Sequence, residues 1–271
     1  MVIKFGPAGL GGVKEAIPNL EKYHTLGLRA CEIAFTYGVY IKNKEDAIKI
    51  GNVAKKLGIS LSIHAPYWIN LNSAEKEKVE KSKQRILKCL EVGTYLGASR
   101  IVFHPGYYGK IKGTKVPLIN PSFKLGVMPD AKEMAYENIK NEILEIQKIR
   151  KEKKYTPKLA PETTGKVNVF GSPDDIQKLV RDTGCSFCID FSHILARYKD
   201  YKFKEILKMF EKHENLHIHF SGIEYGEKGE KHHKRTPEKE LKKLLSNLPS
   251  TKHITIISES PSPVEDSVLG L

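Results

Sequence analysis

The 271-residue sequence predicts a single-domain α/β protein with a (β/α)8 fold, a TIM barrel, over residues 1–271. Short apolar runs alternate with amphipathic helical segments along the whole chain, which is typical of parallel strands joined by right-handed crossovers. About eight such units fill this length, and a barrel of this size is commonly one domain. A doubly wound open sheet is the alternative, but the glycines of residues 6–12 lack the spacing of a dinucleotide-binding loop.

The apolar runs are the predicted barrel strands. They cover residues 2–5, 31–35, 59–63, 101–103, 159–160, 187–189, 216–218 and 254–257. The last six lead into side chains that can bind a metal ion, namely His64, His104, Glu162, Asp190 with His193, His219, and Glu259. Because the carboxyl ends of barrel strands lie at one rim, we expect these side chains to form a single site there.

Helical segments separate the predicted strands. Two begin at Asn43 and Ser73, and the others cover residues 132–150, 173–181, 201–211 and 237–245. Asparagine and serine cap helix starts, whereas glycine permits the left-handed conformation that ends a helix. The glycines in that position before strands are Gly27, Gly58, Gly97 and Gly184. Residues 107–129, rich in Gly, Pro and Lys, are predicted to form a long loop on the ligand-bearing side.

Composition limits the classes of protein that fit. The 45 Lys and Arg outnumber the 32 Asp and Glu, and the formal charge of +13 suits a polyanionic partner, although lysine-rich surfaces also occur on heat-adapted proteins. No apolar stretch reaches the ~20 residues that span a bilayer, and the start is unlike a signal peptide, so we expect a soluble, cytoplasmic protein. The four cysteines are too few and too scattered for a disulfide framework.

The strand-end side chains are imidazoles and carboxylates, which suit Zn²⁺, Mn²⁺ or Fe²⁺. They outnumber the protein ligands that one zinc ion takes, so more than one metal ion is predicted. A carboxylate that bridges two ions about 3.5–4 Å apart would help to clamp the attacking and leaving oxygens of a phosphodiester. His217 shares a strand face with His219 but lies deeper, and it is predicted to fill the barrel interior.

Seven short motifs follow one another between residues 64 and 259. They are HAPYWINL from His64, VFHPG around His104, PETTG around Glu162, CIDFSH around Asp190, HFSG from His219, EKHH from Glu230, and SES around Glu259. In this order they resemble the HxxYxINL, FHPG, ENTAG, CIDxxH, HLND, DRHH and LET elements of endonuclease IV, the metal-dependent apurinic/apyrimidinic endonucleases among the xylose-isomerase-like barrels. The family's amino-terminal histidine motif is absent, and the carboxylate of its HLND element is lost.

The resemblance implies two to three Zn²⁺ ions, with Mn²⁺ in some positions. His64, His104 and Glu162 would hold one ion. Asp190, His219 and Glu259 would hold the second, with Glu162 bridging. His193, Glu230 and His232 would hold the third; His233 competes for the imidazole role, but spacing from Glu230 favours His232. Glu162 and Glu259 are the expected catalytic residues.

The resemblance also implies that the protein hydrolyses the phosphodiester 5′ to an abasic site in double-stranded DNA, in base-excision repair. We expect a monomer with no membrane partner. Tyr67 and Trp68 match the position from which the family inserts side chains into the DNA stack, although they could simply pack the barrel mouth. Lys231, Lys234 and Arg235 flank the third-ion position and are expected to contact phosphate.

A sugar isomerase or epimerase on the same barrel is the alternative function. Such an enzyme needs one divalent metal ion, and Glu162, Asp190, His219 and Glu259 would suffice to bind it. It does not require His64, His104, His193 or the pair of Glu230 and His232, which therefore favour the endonuclease. A non-catalytic nucleic-acid binder would leave so many inward-facing ligands unexplained.

Overall fold

The computed structural model describes residues 2–109 and 130–271. Its strands are β1 Val2–Pro7, β2 Ala30–Ala34, β3 Ser60–His64, β4 Arg100–Phe103, β5 Gly106–Tyr107, β6 Lys158–Pro161, β7 Val169–Phe170, β8 Ile189–Asp190, β9 Asn215–His219, β10 Gly222–Gly226, β11 Gly229–Lys234 and β12 His253–Ser258. Its helices are α1 Val13–Thr25, α2 Lys44–Lys56, α3 Lys76–Leu96, α4 Ala131–Glu152, α5 Pro173–Thr183, α6 Phe191–Tyr198, α7 Phe203–Met209, α8 Glu238–Asn247 and α9 Pro263–Val268.

The strands close into a barrel. Strands β2, β3, β4 and β6 form one parallel sheet, and β8, β9, β12 and β1 form another. Two isolated parallel bridges, Ala8 with Glu32 and Glu162 with Cys188, join the sheets at both seams. The eight wall strands therefore follow one another around the barrel in the order in which they occur along the chain. The predicted (β/α)8 fold is confirmed, and the open-sheet alternative is excluded.

The predicted cap at Asn43 and the predicted glycine ends have the expected local chemistry, whereas α3 begins at Lys76 rather than at Ser73. The side chain of Asn43 accepts hydrogen bonds from the backbone N–H groups of Glu45 and Asp46 at the start of α2. Gly58, which ends the turn after α2, and Gly97 and Gly184, which cap α3 and α5, have φ near +67°. A side chain at such a position would clash with the backbone, so glycine ends these helices cheaply.

Several elements near the site have no counterpart in the sequence prediction. Helix α6 begins directly after Asp190, so His193 lies on a helix rather than at a strand end. Strands β10 and β11 form an antiparallel hairpin that carries Glu230. The predicted loop over residues 107–129 starts within β5, which pairs with β7, and its residues 110–129 lie outside the described ranges.

The hydrophobic core fills the space between the barrel wall and the surrounding helices. Buried side chains such as Leu20 on α1, Ile50 on α2 and Leu90 on α3 pack against the outer faces of the strands. All four cysteines are buried free thiols. In the described ranges, no helix is long and apolar enough to cross a membrane.

Candidate metal centre

The carboxylate of Glu162 is the centre of the site. It follows β6 at the carboxyl rim of the barrel and is completely buried. Its Oε2 lies 3.1 Å from Nε2 of His64, at the end of β3, and 3.1 Å from Nε2 of His104, after β4. Its Oε1 lies 3.1 Å from Nδ1 of His219, at the end of β9. Three imidazoles from three strands thus converge on one carboxylate, as the strand-end pattern predicted.

Asp190 and Glu259 complete the inner part of the site. Asp190 caps α6, and its Oδ1 accepts a hydrogen bond of 2.7 Å from the backbone N–H of His193. Its buried Oδ2 has no hydrogen-bond partner among the described residues. Glu259 follows β12, and its Oε2 lies 3.4 Å from Nδ1 of His219.

His193 extends the site towards the β10–β11 hairpin. Its Nδ1 lies 2.9 Å from the carbonyl oxygen of Thr163, and its Nε2 lies 3.4 Å from Oε2 of Glu230. Gly165 lies between them: a Cβ atom there would come within 2.7 Å of Glu230 and 3.1 Å of His193. The glycine of the PETTG motif therefore makes room for these two ligand-type side chains to meet.

A β-bulge decides which histidine of the hairpin faces the site. His232 pairs with Glu224 and Glu230 pairs with Tyr225, which leaves Lys231 as an extra residue on β11. Regular alternation would place residues 230 and 232 on one face, in agreement with the preference for His232. The extra residue shifts the alternation, since a bulge re-aims the side chains that follow it. His233 therefore lines the cavity with Glu230, and His232 is exposed.

These side chains form overlapping groups with the spacing of metal ligands. The ligand atoms of each group lie within 4.8 Å of one another, and the groups at the rim are His64 with His104 and Glu162; Asp190 with His193 and His233; and Glu162 with Asp190, His219 and Glu259. Tetrahedral zinc with bonds near 2.0–2.1 Å places its ligand atoms about 3.3 Å apart. The nitrogen–oxygen distances of 3.1–3.4 Å fit this value.

The second ring nitrogen of most of these histidines is held by a fixed partner. Nδ1 of His64 lies 2.9 Å from the carbonyl oxygen of Ala65, and Nδ1 of His233 lies 2.6 Å from the hydroxyl of Ser221. In each ring the other nitrogen is left facing the centre. Such outer contacts fix the tautomer and orientation of metal-binding histidines. Asp190 Oδ2 has no hydrogen-bond partner among the described residues and lies 3.4 Å from Nδ1 of His193, so these residues fit a divalent cation.

Glu32 on β2 is the functional-type residue that sequence analysis missed. It is completely buried beneath the site, with Oε1 2.8 Å from Nε2 of His219 and Oε2 2.9 Å from Nε2 of His217. The hydroxyl of Ser62 donates to the same carboxylate at 2.7 Å. Glu32 therefore orients His219 so that Nδ1 faces Glu162. The only sequence signal was an acidic residue inside the apolar run CEIAF.

His217 is buried in the barrel interior, as predicted. With Cys188 and His219 it forms another group within metal-ligand distance of one another. Burial raises the pKa of the Cys188 thiol well above its usual range, which disfavours the thiolate that a metal ion would need. The contact with Glu32 gives His217 a structural role instead.

The charges of the site are strongly coupled. Burial opposes ionisation of Glu162, but the imidazoles, His219 first, outweigh it and hold the pKa of the carboxyl well below its usual range. Burial likewise opposes a charge on His64, yet the hydrogen bond to Glu162 raises its pKa to about 9. Burial raises the pKa of Asp190 in spite of His193 nearby. Of Glu162, Asp190 and Glu259, Asp190 is the one whose pKa is raised.

A cavity of about 460 Å³ opens onto these ligands. Tyr67 and Tyr107 line it, and Trp68 is exposed next to Tyr67. The three basic residues predicted to contact phosphate do not line it. Lys234 pairs with Glu224 at 3.0 Å and Arg235 pairs with Asp266 at 2.9 Å, while Lys231 is exposed on the hairpin.

The chain belongs to the xylose isomerase-like TIM-barrel family, whose model matches residues 20–261. The resemblance seen in the motifs is thereby confirmed at the level of this family. An uncharacterized protein of Methanocaldococcus jannaschii is 35% identical over 291 aligned positions, which cover 99% of this chain and 96% of that protein.

Solved structures with the same fold include both nucleases and epimerases. SacUVDE, a UV damage endonuclease, has a TM-score of 0.72 at 16% identity and covers 100% of this chain and 96% of its own. Endonuclease IV from Thermus thermophilus has a TM-score of 0.68 at 21% identity, covering 98% and 95%. A D-tagatose 3-epimerase-like protein has a TM-score of 0.69 at 18% identity, covering 97% and 94%. These identities establish the fold alone.

The bulge makes a test of adjacent histidines possible. We expect His233→Ala to lower the number of bound zinc ions by about one per chain, because it removes an inward-facing imidazole. His232→Ala is the matched control, and its zinc content should equal that of the parent protein. Metal analysis after dialysis measures both. Loss of zinc from His232→Ala with full retention in His233→Ala would contradict the bulge assignment.

The role of Glu32 predicts a loss of metal affinity without a change of ligand. Glu32→Gln keeps the shape of the side chain but removes the charge that holds His219, so we expect zinc affinity to fall by about 10–100-fold. Competition with a chromophoric chelator measures this affinity, and thermal unfolding checks the fold. Glu21→Gln, on the exposed face of α1, is the control. Equal zinc affinity in both variants would limit Glu32 to packing.

Proposed function

We propose that the protein is a metal-dependent endonuclease that hydrolyses the phosphodiester 5′ to an abasic site in double-stranded DNA, with two to three bound Zn²⁺ ions. One observation carries the proposal: nine ligand-type side chains gather at one rim of the barrel, more than twice the number that a single zinc ion takes, and six of them line one cavity. They are His64, His104, Glu162, Asp190, His193, His219, Glu230, His233 and Glu259.

The overlap of the groups suits a multinuclear centre. Glu162 belongs to two groups and would bridge two ions, and Asp190 likewise belongs to two. When bound, closely spaced divalent ions supply a water nucleophile at neutral pH and stabilise charge on the phosphate oxygens. The protein contributes a preorganised ligand set: Glu32, Ser221 and backbone carbonyl groups hold the imidazoles in place before any substrate arrives.

The mouth of the cavity offers aromatic surface to a nucleic acid. Tyr67 is 62% exposed and Trp68 61% exposed, on the loop that follows His64. Tyr37, on the loop after β2, lies edge-on to Trp68 with ring centroids 6.4 Å apart. Base–aromatic stacking stabilises unpaired bases by about 1–3 kcal/mol each. Exposed rings at this place fit a substrate with a disrupted base stack, and the formal charge of +13 fits a polyanion.

A single-metal sugar isomerase or epimerase is the second candidate. The observation in its favour is that Glu162, Asp190, His219 and Glu259 form a complete four-ligand group by themselves. A one-metal enzyme would leave four histidines at the site without a metal ion to bind, namely His64, His104, His193 and His233. That surplus is the reason to prefer the endonuclease.

Cleavage of a defined duplex tests the proposal. We expect zinc-loaded protein to nick an end-labelled duplex at a tetrahydrofuran abasic analogue and EDTA to abolish the nicking. Glu162→Gln should lower the rate by at least about 10²-fold, because the neutral amide cannot bridge two cations. Glu21→Gln is the control for the change of charge. An intact duplex, together with zinc-dependent epimerisation of a ketose and one bound ion per chain, would transfer the assignment to the second candidate.

The aromatic mouth gives an independent prediction. Removal of both rings in Tyr67→Ala with Trp68→Ala should weaken binding to the abasic duplex by about 10-fold or more, because two stacking contacts are lost. Zinc content should not change, since neither side chain is a ligand. Leu144→Ala, which truncates an exposed apolar side chain on α4, is the control in the same anisotropy titration. Unchanged binding by the double variant would assign both rings to packing of the barrel mouth.

A further inference from the structure

Lys166 lies at the rim of the candidate metal centre. It follows Gly165 in the segment between β6 and β7 and lines the same cavity as His64, His193 and Glu259. Among the described residues it is the one lysine or arginine that lines this cavity. No acidic side chain in residues 2–109 or 130–271 lies within ion-pair distance of its ammonium group, whereas Lys234 on β11 is paired with a glutamate.

The backbone that carries Lys166 is held firmly. Arg197 on α6 donates hydrogen bonds from Nη1 to the carbonyl oxygens of Lys166 at 2.8 Å and Val169 at 3.1 Å. Its Nη2 donates to the hydroxyl of Tyr108 at 3.2 Å. An arginine that serves several carbonyl groups at once uses the rigid fork of its guanidinium group. Such a contact fixes the course of an otherwise irregular segment.

The same contacts tie Lys166 to the proposed ligands. Arg197 lies four residues after His193, one turn along the same helix, so α6 holds both the ligand and the Lys166 segment. On the other side, Lys166 forms an antiparallel bridge with Gly229, and the backbone N–H of Glu230 donates to the carbonyl oxygen of Gly165 at 3.3 Å. The Cα position of Lys166 is therefore fixed relative to His193 and Glu230.

Electrostatics indicates what would occupy the space between Lys166 and the metal centre. An ammonium group beside a cluster of divalent cations is repelled by them, and an anion bound between them lowers that repulsion more than the water around an exposed lysine does. A phosphate group can bind to both the lysine and the metal ions. One of its oxygens would contact the ammonium group, which acts as a point charge, while other oxygens would contact the ions. A neutral sugar offers the exposed ammonium group of Lys166 no ion pair, so Lys166 would contribute nothing to binding such a substrate.

We propose that Lys166 binds an anionic phosphate oxygen of the substrate at the rim of the metal centre, and that Arg197 is the residue that positions it. The identification of that phosphate as part of abasic DNA rests on the proposed function. The preference for a phosphate-bearing substrate over a neutral one does not.

The test compares Lys166→Gln with Lys56→Gln, which removes an exposed charge at the end of α2. In zinc-loaded protein, we expect Lys166→Gln to weaken inorganic phosphate binding by about 10-fold or more, measured by calorimetry, with unchanged zinc content. Its binding to the abasic duplex should depend less steeply on salt, with the slope of log K against log[salt] reduced by about 0.9. Lys166→Arg should restore part of both, and Lys56→Gln should resemble the parent protein.

The outcomes separate this inference from the proposed function. Equal phosphate affinity in Lys166→Gln and the parent protein would overturn the role of Lys166, even if the parent cleaves abasic DNA. Weakened phosphate binding in a protein that does not cleave DNA would uphold it, and would indicate a small phosphorylated substrate instead. Loss of zinc from Lys166→Gln would also overturn it, because a substrate-binding residue should leave the metal centre intact.

Discussion

The buried carboxylate of Glu162 is the constraint on which the rest of the site depends. A charged carboxylate without counter-charges is very costly inside a protein, so residues 162, 64, 104 and 219 must converge. A closed parallel barrel achieves this because its strand ends meet at one rim. The bridge between Glu162 and Cys188 is also one of the two seams that close the wall. Fold closure and site assembly therefore use the same stretch of chain.

Around this carboxylate the site is built in layers that fix orientation. The inner layer consists of ligand-type side chains. The outer layer consists of groups that contact the second ring nitrogen of a histidine, such as Glu32 beneath His219 and Ser221 behind His233. A flexible imidazole would lose conformational entropy on binding a cation, and the outer layer removes that cost in advance. The six strand ends thus supply most of the ligand-type side chains, but the groups that orient them come from other parts of the chain.

The sequence predicted what depends on periodicity and missed what depends on local irregularity. Strand order, helix caps at Asn43 and the glycines, and the positions of Glu162 and His219 follow from patterns that repeat along the chain. His232 was preferred over His233 on its spacing from Glu230, and a single bulged residue, Lys231, changes which of the two side chains faces the cavity. Glu32 was missed because its partners, His217 and His219, lie far away along the chain and meet it only across the barrel interior.

The two candidate functions rely on the same set of ligand-type side chains. They differ in how many of these side chains bind a metal ion. Glu162, Asp190, His219 and Glu259 form an inner group that could serve one ion, and the additional imidazoles build outward from Glu162 and Asp190. Glu162 and Asp190 each belong to the inner group and to one outer group. A cation bound in an outer group would therefore also change the charge at the inner group. Each added cation makes the cavity more attractive to an anion and less suited to a neutral polyol. A centre enlarged in this way, with Lys166 at its rim, fits the proposed phosphate-bearing substrate better than a neutral polyol.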